Sequence, residues 1–164
     1  MEYSDDLLQE AFKEAELALE KGEVPVGAVF FDIDQNKIIA RGCNSVNATK
    51  NATRHAEINC IDQVLLQNQR SQWEKIVVYV NVEPCIMCAS ALVDLKVAAV
   101  FFGCNNDRFG GSGSVLNVPD LLRPNNCTLF KGGFRQSEAV DLLKKFYKGE
   151  NPNAPVEKRK PARE

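Results

Sequence analysis

Four residues of this chain have side chains and spacings suited to metal chemistry. His55 and Glu57 lie two apart, and Cys85 and Cys88 lie three apart within Pro84-Cys85-Ile86-Met87-Cys88. One imidazole and two thiolates offer three soft or borderline ligands, and a tetrahedral zinc ion so held keeps its fourth position open for water. That open position separates a catalytic zinc from a structural one. The two thiolates would offset the ion's charge. Zinc acidifies its bound water from ~15.7 toward ~7, so a nucleophile becomes available near neutral pH. Glu57 is then left to carry protons.

Spacing sets conditions on this reading. Residues three apart on a helix are neighbours, so Cys85 and Cys88 can converge on one ion. A Pro84 that opens the helix would suit its first turn, and the positive end of the helix dipole would favour thiolate. Glu57 and His55 can converge only at a helix start, because residues two apart on a mid-helix diverge at ~3.6 residues per turn. Cys-x-x-Cys alone is also compatible with a redox pair, or with half of a closed zinc site in which Cys60 or Cys104 is the fourth ligand.

The combined pattern resembles the signature of zinc-dependent nucleobase deaminases, His-x-Glu followed by Pro-Cys-x-x-Cys. Longer stretches narrow the resemblance to the tRNA-specific adenosine deaminases, on the side of the eukaryotic catalytic subunit. These are Glu23-Val24-Pro25-Val26-Gly27-Ala28, Asn51-Ala52-Thr53-Arg54-His55-Ala56-Glu57, Val82-Glu83-Pro84-Cys85-Ile86-Met87-Cys88-Ala89-Ser90-Ala91-Leu92 and residues 107–116. The resemblance implies a cytidine-deaminase-like three-layer α/β/α fold with a central mixed sheet and one Zn²⁺ per chain. It implies hydrolytic deamination of adenosine to inosine at the wobble position of tRNA anticodons. Glu57 would be catalytic, with His55, Cys85 and Cys88 on the metal. Val26, Asn44, Ala56 and Pro84 would line the substrate site. Arg108 and Phe109 would meet RNA, as would Lys158, Arg159 and Lys160 in a basic tail. The implied partners are tRNA and a second, catalytically degenerate deaminase-like subunit. The zinc pattern is shared with deaminases of free cytidine, deoxycytidylate or guanine. A non-catalytic, zinc-stabilised interaction subunit is a further alternative, although such a subunit has no need of Glu57.

Composition bounds the rest. A chain of 164 residues, 45% hydrophobic, fits one domain with a sizeable core. Residues 1–148 are expected to form the deaminase domain, and residues 149–164 a linker and tail. No apolar run approaches the ~18 residues of a membrane span and no signal peptide is evident, so the expected setting is intracellular, in nucleus or cytoplasm, with no membrane partner. Cys43, Cys60, Cys104 and Cys127 follow no tight disulfide framework and read as reduced packing thiols. The net charge is −2, of which residues 157–164 contribute +2, leaving −4 on the remainder. An acidic body that binds RNA needs positive surface from its tail or from a partner.

The elements that must position these residues follow from periodicity. Ser4 is a candidate N-cap, and Leu7, Leu8, Ala11, Phe12, Ala15, Ala18 and Leu19 form a helical stripe ended by Gly22. Residues 26–31 and 37–40 read as a hairpin. Thr53 is expected to cap a helix carrying Ile58, Ile61, Val64 and Leu65, closed by Asn68, Gln69 and Ser71. Residues 76–80 read as a buried strand leading to Pro84. A helix to Leu95 follows, then a strand over 97–102. Residues 103–114 are Gly-rich without a P-loop ending. An edge strand over 127–130 and a last helix around Val140 to Tyr147 complete a pattern of alternating strands and helices, which implies a helix-covered sheet.

Overall fold

The computed structural model describes residues 2–67, 72–122 and 128–149. Helix α1, Asp5–Glu20, begins where Ser4 accepts a hydrogen bond from the Leu7 N–H at 3.4 Å, with Asp5 and Asp6 at the positive end of its dipole. It buries Leu8, Ala11, Phe12, Ala15 and Ala18, the expected stripe. Gly22, at φ 71, takes the chain out of the helix through the left-handed region open to glycine.

Strands β1 (Gly27–Asp32) and β2 (Lys37–Cys43) form the antiparallel hairpin, with an irregularity in register between Phe30 and Phe31. A four-residue helix α2, Val46–Thr49, follows. Helix α3 is Ala56–Leu66 and, after a single 3-10 turn at Trp73–Lys75, strand β3 is Ile76–Val82. Helix α4 (Ile86–Leu95), strand β4 (Ala99–Cys104), helix α5 (Val118–Leu122), strand β5 (Leu129–Lys131) and helix α6 (Gln136–Lys148) complete the order. The sheet runs β2-β1-β3-β4-β5. β1 is antiparallel to β2 and β3, whereas β3, β4 and β5 are parallel.

The sheet is mixed and covered on both faces, as expected. Ala56, Cys60, Ile61 and Val64 of α3 and Leu92 of α4 pack with Phe30, Val78, Val80 and Val100. Leu8, Ala11, Phe12 and Ala15 of α1 and Ala139 and Leu142 of α6 pack with Val29, Val77, Tyr79 and Phe101 on the opposite face. Alternate residues of each strand thus feed alternate cores. β3 and β4 are buried along their whole length, which explains their unbroken apolar runs. Gly27 lets α1 approach closely, since a Cβ there would stand 2.2 Å from the Ala15 nitrogen.

Several expectations need correction. Thr53 does not cap α3. Its hydroxyl bonds to the Asn51 side chain at 2.7 Å, and His55 holds the N-cap position with extended φ and ψ of −77° and 161°. Pro84 does not open α4. Cys85 is its N-cap at φ −67°, ψ 168°, so proline sits one residue outside. Short α2 and α5 were not anticipated, and the hairpin's second strand runs three residues further, to Cys43. The last strand lies at Leu129–Lys131 rather than 127–130. Cys127 and the helix-closing Asn68, Gln69 and Ser71 lie outside the described residues, as do Lys158, Arg159 and Lys160.

Strand direction decides where chemistry can collect. β2, β3 and β4 all run the same way, and β1 runs against them. The start of β1 and the ends of β2, β3 and β4 therefore share one end of the sheet. Val26, Asn44, Pro84 and residues 105–114 follow from those four strand ends, and α3 and α4 begin there. Ligands of open α/β sheets bind at such carboxyl ends.

Candidate metal centre and active site

The two helix starts meet. His55 Nδ1 lies 3.4 Å from Cys85 Sγ and 3.6 Å from Cys88 Sγ, and the three ligand atoms fall within 4.8 Å of one another. A tetrahedral zinc with Zn–S near 2.3 Å and Zn–N near 2.05 Å requires an N···S edge of about 3.6 Å. The side chains therefore stand at the spacing that zinc needs. His55 and Cys85 occupy N-cap positions, where extended backbone folds a side chain back over the helix end. Cys88 reaches the same point from the first turn of α4. Cys60 and Cys104 are outside the cluster. Cys60 Sγ faces the Ala28 carbonyl oxygen at 3.4 Å instead, so among the described residues no fourth thiolate closes the site.

Without metal the three groups share protons. A hydrogen bond from Cys88, with a smaller one from His55, holds the Cys85 thiol down to about 4. Donating that hydrogen bond to the Cys85 thiolate pushes the Cys88 thiol far up, with burial adding to it. The Cys85 thiolate in turn raises His55, against the effect of burial.

Glu57 is 2% exposed, in the first turn of α3 behind His55. Burial, and then the charge of Cys85, pushes its carboxyl up to about 7. A buried carboxyl near neutrality can both accept and return a proton. Ala56, fully buried, is the first residue of α3, where a helix has backbone N–H groups with no intrahelical partner.

The remaining walls are held by buried polar groups. Asn44 is 5% exposed, and its N–H donates to the Val26 carbonyl at 3.0 Å. Its amide Nδ2 donates to Glu23 at 3.1 Å, which turns Oδ1 to the opposite side. Glu23, 1% exposed, also accepts from the Asn47 and Ala48 N–H groups at 3.1 and 2.8 Å. Asn59 of α3 donates to the Cys43 carbonyl at 2.8 Å and to Ser45 Oγ at 2.9 Å, tying this segment to the helix that starts at the imidazole. Asn81, fully buried, donates to the Pro25 carbonyl and accepts from the Gly27 N–H, both at 2.9 Å, and so brackets Val26. Pro84 accepts from the Gly111 N–H at 2.8 Å. Arg108 and Phe109 are exposed on the adjoining loop. Sequence reasoning assigned no role to Glu23, Asn81 or Glu83. Glu23 and Glu83 lie within the stretches that carry the family resemblance, and Asn81 is a polar residue within an apolar strand-like run, but neither fact gives the residue a role.

Residues 1–104 match the family described as the cytidine and deoxycytidylate deaminase zinc-binding region. The tRNA-specific adenosine deaminase 2 of Xenopus tropicalis is 52% identical over 159 residues, 92% of each chain. This chain belongs to the tRNA-specific adenosine deaminases. Within that family, the tRNA-specific adenosine deaminase of Aquifex aeolicus is 37% identical over 86% of this chain and 91% of its own. The tRNA-specific adenosine deaminase subunit tad2 of Schizosaccharomyces pombe is 42% identical over 93% of this chain but 39% of its own longer one. A solved chain from a study of A-to-I editing by tRNA:A34 deaminases superposes with a TM-score of 0.75 at 26% identity, covering 85% of this chain and 99% of that one. A guanine deaminase from Nitrosomonas europaea also gives 0.75, over 89% of this chain and 85% of its own, but at 17% identity it shares only the fold. As a deaminase family member with a His/Cys/Cys triad at tetrahedral spacing, the protein binds one zinc ion.

Proposed function

We propose that this chain hydrolyses adenosine to inosine and ammonia at the wobble position of tRNA anticodons. In this reading His55, Cys85 and Cys88 hold the zinc, and Glu57 moves the protons. The carrying observation is the buried Glu57 carboxyl, near neutrality, beside a three-ligand cluster, in a chain 52% identical to a tRNA-specific adenosine deaminase. Zinc, when bound, supplies Lewis-acid activation of water at neutral pH. Glu57 accepts a proton from the attacking water and delivers it to adenine N1 as oxygen adds to C6. It then helps protonate the departing amine, so that the C6–N bond breaks and ammonia leaves. In this reading the Ala56 N–H, at the first position of α3 and without an intrahelical partner, donates near the reacting centre. Asn44, held by Glu23, and Val26, bracketed by Asn81, grip the base, and Pro84 shapes the opposite wall. The target base must leave its stack, which costs least in a single-stranded loop.

The reading includes a second, catalytically degenerate subunit. The fission yeast relative is named a subunit, and an acidic body with a net −4 before residue 157 needs added positive surface to grip RNA. Among the described residues no helix is long and apolar enough to cross a membrane. A tRNA substrate places the protein inside the cell, in nucleus or cytoplasm.

The test is inosine formation at position 34 of an unmodified A34 tRNA by the chain with its partner. Glu57→Gln should lower kcat by roughly 10²- to 10⁴-fold while one zinc per chain is retained. Full activity in this variant would overturn the role of Glu57. Deamination of free nucleosides but never of tRNA would overturn the substrate.

A further inference from the structure

Glu83 lies between β3 and the metal-site segment, is 2% exposed, and contributes no ligand atom to the cluster. Its carboxylate accepts from the Asn106 N–H at 2.9 Å, the Ser112 N–H and Oγ at 3.0 Å each, and the Ser114 N–H at 3.2 Å. The Ser114 hydroxyl completes the set. An ionised carboxylate has about four lone-pair sites, so these donors saturate it, and every one of them belongs to residues 106–114. Gly110 wraps so tightly over the carboxylate that a Cβ there would stand 2.5 Å from Oε2. The same loop is stitched to the metal site through its backbone. Phe109 O accepts from the Ile86 N–H, and Gly111 N–H donates to Pro84 O, both at 2.8 Å, with Cys85 paired to Gly110 between them.

The loop is thus pinned on both sides of Phe109, whose ring is 62% exposed. An exposed phenyl ring on a fixed backbone adds little to the core. It is, however, a preorganised face on which an unstacked base can lie. We propose that Glu83 is a positioning residue that holds residues 106–114 as the outer wall of the active site and presents Phe109, with Arg108 beside it, to the anticodon loop. Glu83 touches neither substrate nor metal. It acts through the loop, and the proposal rests on the tRNA reading above only for what Phe109 meets.

The test uses the zinc-loaded full chain with its partner subunit and two readouts. Hydrogen exchange in Glu83→Gln should show lost protection at residues 106–114 with protection kept in α3 and α4. Kinetics on A34 tRNA should show KM raised on the order of tenfold, as expected for loss of one stacked base, with kcat within about threefold and one zinc retained. Phe109→Ala should do the same, and the double variant should be no worse than either single one, because both remove one interaction. A purely structural Glu83 would give additive effects. Unchanged loop protection, additive losses, or a fall in kcat at constant KM would each overturn the proposal. Should Glu83→Gln lose its zinc, Ser114→Ala removes a single donor and must show the same loop opening and coupling to Phe109. If the wild-type complex does not act on tRNA while the loop still opens in Glu83→Gln, the substrate reading fails and the positioning role stands.

Discussion

Cys85 shows how far neighbours set the chemistry of one residue. An ordinary cysteine thiol ionises near 8.5, and its alkylation slows about tenfold for each unit below that. In the metal-free protein, hydrogen bonds from Cys88 and His55 hold Cys85 at about 4. Cys85 is therefore thiolate at every pH well above 4 and becomes thiol only as pH falls toward that value. After chelation, iodoacetamide should label Cys85 at a rate nearly constant from pH 8 to 5, whereas Cys88, pushed up, stays slow. Peptide mass spectrometry across pH would measure both. A tenfold loss per unit below pH 8 at Cys85 would show that the proton is not shared in this way. At this scale the cluster was legible, since His55, Cys85 and Cys88 declare their chemistry by type and spacing. Glu23 and Glu83 were not. A carboxylate reads as solvated charge until the fold buries it, and what distinguishes these two is the backbone N–H groups that later surround them.

The elements were legible where periodicity or full burial dominates, in α1, β3 and β4, and less so at their ends, where tertiary contacts compete. Thr53 is a good cap by residue type, yet Asn51 takes its hydroxyl and leaves the N-cap to His55. That displacement brings the imidazole to the helix end, where it meets Cys85. Asn81 is the clearest case of a role hidden within an element. The pairing of β1 with β3 stops at Ala28 and Val80, and beyond it the Asn81 side chain supplies the two bonds a strand would make, to Gly27 N–H and Pro25 O. Asn81→Ala leaves both groups unpaired. At about 1–3 kcal/mol for each buried unsatisfied group, the loss is roughly 2–6 kcal/mol, or on the order of 10 °C in Tm for a domain of this size. Asn81→Asp keeps an acceptor for Gly27 but sets a buried carboxylate against the Pro25 carbonyl oxygen, so at neutral pH it should destabilise at least as much as Asn81→Ala. Thermal denaturation followed by circular dichroism measures this. An unchanged Tm in Asn81→Ala would mean that water replaces both bonds, and Val26 would then be held by its bond from the Asn44 N–H and by packing rather than by Asn81.

For the whole molecule, topology gathers in space what the sequence scatters. The sites at 26, 44, 55–57, 84–88 and 105–114 meet because β2, β3 and β4 end on the same side and β1 begins there. Alternating apolar segments announce a covered sheet, but they do not declare strand order, so this convergence could not be read in advance without the family resemblance. Charge is organised at the same scale. Residues 157–164 carry Lys158, Arg159, Lys160 and Arg163 against two glutamates, opposite in sign to the rest of the chain. If those cations lie along tRNA phosphates, removing residues 150–164 should weaken binding while sparing chemistry, because the cluster and Glu57 lie in the retained domain. Each phosphate neutralised on a single strand contributes about 0.7 to the slope of log affinity against log salt, so loss of three or four contacts should flatten that slope by roughly 2–3. KM for A34 tRNA should rise at physiological salt with kcat unchanged, and the difference from the full chain should shrink as salt increases. An unchanged slope in the truncated protein would place the positive surface entirely on the partner subunit, and the tail would then be no more than solvated chain.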